Sequence, residues 1–192
     1  MHTRLLRSLI APALTVAALL LVFTACDTAT TGDDTITLND PANPTTVTYE
    51  FEYDPSTAVN GEIGVASIGT DNLGSIIGTY GFSRDDVVSA RVTSITISRS
   101  AGTRSASSSK LYDYVEDIKL HLGGSESGPL IAPEQAVQST LETNLNTADT
   151  DLTGTIQSGP AQAFMIIGVN NTSETQGFIE AEVDFRIEVQ SN

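Results

Sequence analysis

The end of the chain alternates strictly. Ile179, Ala181, Val183, Phe185, Ile187 and Val189 fall on one side, and Glu180, Glu182, Asp184, Arg186, Glu188 and Gln190 on the other. A helix would scatter these positions around its axis, whereas successive side chains of a strand point to opposite faces. The segment therefore predicts a strand with one dry and one wet face. Near the other end, Tyr49, Phe51 and Tyr53 interleave with Glu50, Glu52 and Asp54 in the same way. A folded domain is expected over 47–192, opening and closing with amphipathic strands.

Further strands are predicted at Glu62–Ile68, Ala90–Arg99, Val115–Leu122, Leu130–Ala132, Leu141–Leu145 and Ala161–Val169. Ile118, Leu120 and Leu122 alternate with Asp117, Lys119 and His121, which puts His121 on the exposed side. Phe164, Met165, Ile166 and Ile167 form an unbroken apolar run, the pattern of a strand buried on both faces. Phe51, Phe164 and Phe185 are expected on core faces.

Two short helices interrupt the strands. Leu73, Ile76, Ile77 and Tyr80 follow helical spacing, with Asp71 as N-cap and Gly81 as C-terminal stop. A second covers Asp151–Gln157, with Asp149 or Thr150 as its cap, and Asp85-Asp86 starts a helical turn after Ser83. Short strands, frequent turn residues and polar outer faces predict a mainly β fold. It is an antiparallel two-layer β-sandwich, immunoglobulin-like in architecture, with one or two short helices. The Ser/Gly-rich stretch Ser100–Ser109 reads as its long loop.

The first 26 residues have a different pattern. Arg4 and Arg7 precede an uncharged run from Ser8 to Phe23 that is rich in Leu, Ile and Val. That run is short for a membrane span of roughly 20 apolar residues and fits a secretory leader. It ends at Phe23, Thr24, Ala25 and Cys26, with Cys26 the only cysteine of the chain. Small residues before a cysteine resemble the lipobox of bacterial lipoproteins, with Phe23 where Leu is usual. The resemblance implies cleavage before Cys26, acylation of its thiol and a membrane partner held through those acyl chains. Residues 1–25 are then the signal peptide and 26–46 a lipidated cysteine with a flexible tether rich in Thr, Asp, Asn and Pro. Asp27 resembles an inner-membrane retention signal of enteric bacteria, and in other phyla a surface-export signal. The outer membrane or cell surface is the expected location.

Charge narrows the partners. The chain has 24 acidic and 9 basic side chains, and loss of Arg4 and Arg7 leaves 7 bases and a net charge of −17. Such a surface repels nucleic acid, which is not expected as a partner. Acid-rich, lysine-poor surfaces resemble those of proteins from salty habitats, where self-repulsion is screened.

Candidate chemistry is sparse. Asp149, Asp151, Thr153 and Gly154 resemble the first half of a calcium loop, with Ile156 at its usual apolar position, but Pro160 stands where a bidentate Glu closes the shell. The alternative is a helix N-terminus with acidic residues at the positive end of the dipole. Asp151 to Thr155 is also similar to the phosphorylated-aspartate motif of P-type ATPases, yet Leu152 replaces the Lys and polar residues precede it. His121 is the only histidine beyond the leader, and no nucleophile elbow surrounds any serine. Catalysis is not expected.

Arg91, Arg99, Arg104, Lys110 and Lys119 crowd into 91–119, with Tyr112 and Tyr114 beside them. Arg99, Arg104, Lys110, Tyr112 and Tyr114 form the candidate binding set for an anionic polymer or a partner. The function expected is a non-catalytic, lipid-anchored cell-envelope protein with a structural or protein-binding role. The alternative is a glycan-binding or adhesin-like surface module with calcium as a stabilising ion.

Overall fold

A computed structural model of the chain describes residues 34–38, 45–99, 115–137, 142–170 and 177–191. Cys26, Arg104, Lys110, Tyr112, Tyr114 and the loop expected over 100–109 lie outside them. The described residues form a mainly β fold of two antiparallel sheets. In chain order the elements are β1 (Thr35–Leu38), β2 (Thr46–Tyr53), β3 (Glu62–Ala66), α1 (Leu73–Thr79), β4 (Val87–Arg99), β5 (Val115–Leu122), β6 (Leu130–Ala136), β7 (Glu142–Leu145), α2 (Thr153–Gln157), β8 (Ala163–Val169) and β9 (Gly177–Gln190). The first sheet runs β1-β9-β4-β7, with β2 on the same edge of β9 as β1, and the second runs β3-β8-β5-β6.

Strand β9 confirms the alternation read from the sequence, with every residue from Ile179 to Val189 on the apolar side nearly or fully buried. At about 3.3 Å per residue its 14 residues span about 45 Å. One long edge pairs with β4, and the other is divided between β2, from Gly177 to Asp184, and β1, from Ile187 to Gln190.

Strand β1 differs from expectation, because Thr35–Leu38 falls within the expected tether of 26–46. Ile36 and Leu38 carry the period-two signal, but four residues are too few for it to stand out. The bonds that hold β1 come from β9, which lies about 150 residues downstream in the chain.

Both flanks of the sandwich are stitched. On one side the Ile68 amide donates to the Glu50 carbonyl and joins the end of β3 to β2 (2.7 Å). On the other, the chain leaving β7 runs along β6: the Ala148 amide donates to Ile131, and the Thr150 hydroxyl to Leu130. The Gln135 side-chain amide both accepts from and donates to the backbone of Asn146. Pro133 removes a further donor from this edge, and covered or proline-blunted edges resist pairing with other chains.

Glycines set three cross-strand contacts. The Tyr53 ring lies over its register partner Gly177, and the Asp117 carboxylate over Gly168. Phe164 lies over Gly64, where an added Cβ would come within 2.7 Å of the ring. Phe164 was expected in the core and is instead half-buried on the outer face. Along β8, Met165 and Ile167 are fully buried while Phe164 and Ile166 are partly exposed. The apolar run thus has one dry face, since no third layer covers the outer side of the sheet. Phe51 and Phe185 are in the core as expected.

At Gly128, an added Cβ would run into the Leu122 carbonyl oxygen, whereas at Gly78 in α1 it meets open space. Gly128→Ala is expected to lower stability by about 2–3 kcal/mol through forced backbone displacement. Gly78→Ala is expected to raise it by about 0.5–1 kcal/mol through helix propensity. Urea unfolding midpoints of the two variants check both signs.

Candidate functional site

The strand registers divide the ends of the sandwich. At one end lie the start of β1, the end of β9 and the start of β4, with Ile36 and Val87 both paired to Val189. Here the Ser191 amide donates to the Asp34 carbonyl (2.9 Å). We call this the N-terminal pole. At the far pole β9 begins, β2 ends, β4 ends at Arg99 and β5 begins at Val115. The chain from 100 to 114, which holds four of the five candidate binding residues, is thus attached at the far pole at both its ends.

Both helices belong to the N-terminal pole. Helix α1 starts at Leu73, whose amide donates to Asp71 Oδ1 (2.9 Å). It stops at Gly81 (φ +85°), with Phe82 bonded back to the Ile77 carbonyl, a helix end that needs a left-handed residue. The turn Arg84–Asp86 carries a reciprocal capping box with Ser83. Sequence spacing indicates Gly81 and Ser83 in these places, whereas the N-cap of α1 is Asn72 and Asp71 bonds the helix from one residue before it.

It had not indicated what else Asp71 does. Its carboxylate is buried, pairs with Arg84 and also accepts the Ala161 amide. Arg84 in turn donates to the carbonyls of Ile156 (2.9 Å) and Gly159 (3.0 Å) at the end of α2. Gly74 leaves room for the guanidinium, because a Cβ there would press on Arg84 Nε at 2.9 Å. One ion pair thus fastens α1, the turn before β4, α2 and the start of β8. Tyr49 is buried nearby, and its hydroxyl has no hydrogen-bond partner. Burial pushes the phenol far above its usual range, and the Asp71 carboxylate adds to that effect against Arg84.

The calcium-loop residues are placed differently from a coordination shell. Asp149 is exposed and pairs with Arg91 of β4. Asp151 accepts from the Thr153 amide (3.0 Å) and hydroxyl (2.6 Å) at the start of α2, which runs from Thr153 to Gln157. The N-cap position is thus Leu152 rather than Asp149 or Thr150, with Asp151 bonding Thr153 from one residue earlier and Thr150 drawn away to β6. Among the described residues no three His, Cys, Asp or Glu side chains converge on one point.

Two members of the basic cluster lie apart. Arg91 is on the outer face of the first sheet, while Lys119 is on that of the second, 3.7 Å from Glu126. His121 points to the outer side of β5 as expected but is only 6% exposed. The β5–β6 connection folds over it, and the Nδ1–H donates to the Gly128 carbonyl (2.9 Å). Its Nε2 is buried without a partner. Alternation gives the side of a sheet that a residue takes, and a returning loop decides its exposure.

A cleft of about 430 Å³ between β6 and β7 is lined by Gln135, Ala136, Thr143, Asn144 and Asn146. Another of about 450 Å³ opens beside β9 where β1 gives way to β2, lined by Thr37, Leu38, Thr45, Thr93, Phe185 and Arg186. The first is rich in side-chain amides and the second in threonine hydroxyls, and neither is lined by a carboxylate. No family model, no curated protein and no solved structure matches this chain. Its chemistry is therefore read from its own residues. No helix among the described residues is long and apolar enough to cross a membrane.

Two outcomes follow from these contacts. Asp71→Asn leaves the Arg84 guanidinium buried without its counter-charge, so unfolding free energy is expected to fall by about 3 kcal/mol. Adding Arg84→Met is expected to restore part of that loss in chemical denaturation.

The Thr153 bonds hold the Asp151 carboxyl below its ordinary value of 3.8. A lowered folded value favours the folded state above 3.8, and the benefit is lost as pH falls through the lowered value. Thr153→Val keeps the amide bond but removes the hydroxyl bond. NMR titration is expected to show Asp151 protonating at higher pH in that variant.

Proposed function

We propose that this protein is a lipid-anchored module of the bacterial cell envelope with a structural or protein-binding role. The reading rests on one feature above all, a single cysteine placed directly after an apolar leader, where acylation requires it. Two or more acyl chains give stable anchoring, since each buried methylene adds about 0.8 kcal/mol of membrane affinity.

The topology supports the reading. The described fold begins at Asp34, eight residues on from Cys26, and it does so at the N-terminal pole. The far pole carries both attachments of the segment that contains Arg104, Lys110, Tyr112 and Tyr114. A domain tied at one pole presents the other to whatever it meets. The strong negative charge disfavours nucleic acid and anionic surfaces as partners and leaves protein or neutral polymer surfaces. The outer membrane or cell surface fits a protein with that geometry.

In a bacterial host that processes lipoproteins, Cys26→Ser is expected to shift the protein from the membrane pellet into the soluble fraction. Intact-mass measurement of the wild-type chain is expected to show loss of residues 1–25 and addition of acyl chains. An unmodified Cys26 thiol on mature native material would refute the anchor.

A further inference from the structure

We infer that the N-terminal pole rests on the lipid surface itself, with Ile36 and Val88 in contact with zwitterionic headgroups and the upper acyl region. This inference rests on the lipid-anchor reading above and goes further, since an anchored domain can equally stand clear of its bilayer. A tether running to residue 46 would allow that. Strand β1 shortens that reach, because it commits Thr35–Leu38 to the sandwich. From Cys26 to Asp34 the chain can extend at most about 28 Å. That is less than the length of β9, so the far pole cannot be the one nearest the membrane.

The pole has the surface for such a contact. Four large hydrophobic side chains are exposed among the described residues, and two of them are here: Ile36 at 42% and Val88 at 45%. They flank the end of β9, roughly 10 Å apart across two strand spacings. Val88 is the extra residue of a bulge between Val87 and Ser89, and bulges re-aim side chains. A contact of two side chains is weak alone, but a short tether holds it at millimolar effective concentration.

The charged groups at the pole select the lipid. Asp34 precedes β1, Asp85 and Asp86 precede β4, and Glu188 is paired with both Thr37 and Ser89, while Arg84 is directed inward to Asp71 and Arg186, beside Thr37 and Leu38, is paired with Glu188. A carboxylate rim of this kind repels anionic headgroups and tolerates zwitterionic ones.

The acylated full-length protein in phosphatidylcholine vesicles tests this. A fluorophore is placed at the N-terminal pole through Asp85→Cys or at the far pole through Glu62→Cys. Cys26 is blocked by its lipid in both. Spin-labelled phospholipid is expected to quench the Asp85→Cys probe several-fold more than the Glu62→Cys probe, with aqueous iodide giving the reverse order. Ile36→Asp, checked for folding by its melting temperature, is expected to lose most of the lipid quenching at the first probe. Replacing half the phosphatidylcholine by phosphatidylglycerol at low salt is expected to reduce it.

Equal quenching of both probes on protein whose mass shows an acylated Cys26 overturns the contact and leaves the anchor standing. An anchor that fails by mass overturns both. Stronger quenching on phosphatidylglycerol overturns the choice of lipid.

Discussion

The sandwich depends on how strand β9 distributes its two edges. One edge binds β4 over nearly its whole length, and the other is shared end to end by β2 and β1. The strand therefore joins both ends of the described chain and carries the longest apolar row in the core. It is also the last strand in the sequence. The first two strands have no sheet to enter until the C-terminal segment is made, so folding must close very long loops before their pairing stabilises anything. Such non-local pairing makes β topologies slow to fold.

That dependence explains what the sequence disclosed and what it hid. Period two is a local signal, so β2, β4, β5 and β9 could be read from their own residues, and with them the sandwich class. Strand β1 could not, because its four residues become a strand only through a partner far along the chain. Bulges also hid information. Val87 to Ser89 and Val92 to Ser94 break the register of β4 against β9, so alternation there loses phase. The helix punctuation was legible for the opposite reason, since Asp71, Gly81 and Ser83 act within a few residues of themselves.

The Asp71–Arg84 pair shows where local reading stops. Thirteen residues separate the two, and neither spacing nor composition distinguishes Arg84 from the other arginines. What marks it is three-dimensional: an aspartate that accepts the first amide of α1 and also that of Ala161, two residues before β8, needs a counter-charge once it is buried. The contacts of the calcium-loop aspartates were hidden for a related reason. Asp149 and Asp151 are two positions apart along the chain, but Arg91 of β4 takes one and a local turn onto Thr153 takes the other. The binding set of Arg99, Arg104, Lys110, Tyr112 and Tyr114 keeps its interest for the pole at which its segment is attached.

The two outer faces complete the picture. On the first sheet Glu50 stands directly opposite Glu180, with Glu182 and Glu188 farther along β9. Like charges facing one another across strands destabilise a sheet. Part of the burden is relieved within the row, where Asp184 accepts hydroxyl bonds from Thr46 of β2 and Ser94 of β4 and binds three strands together. Arg186 pairs with Glu188 in the same row, and dissolved ions shorten the reach of exposed charges to about 8 Å at physiological ionic strength and less above it. The second sheet is different: Gly64, Phe164 and Ile166 make its outer face apolar at the centre, where backbone is shielded by an aromatic ring rather than by charge. An acidic face, an aromatic one and a pole bearing the N-terminal strand give the domain three chemically distinct directions.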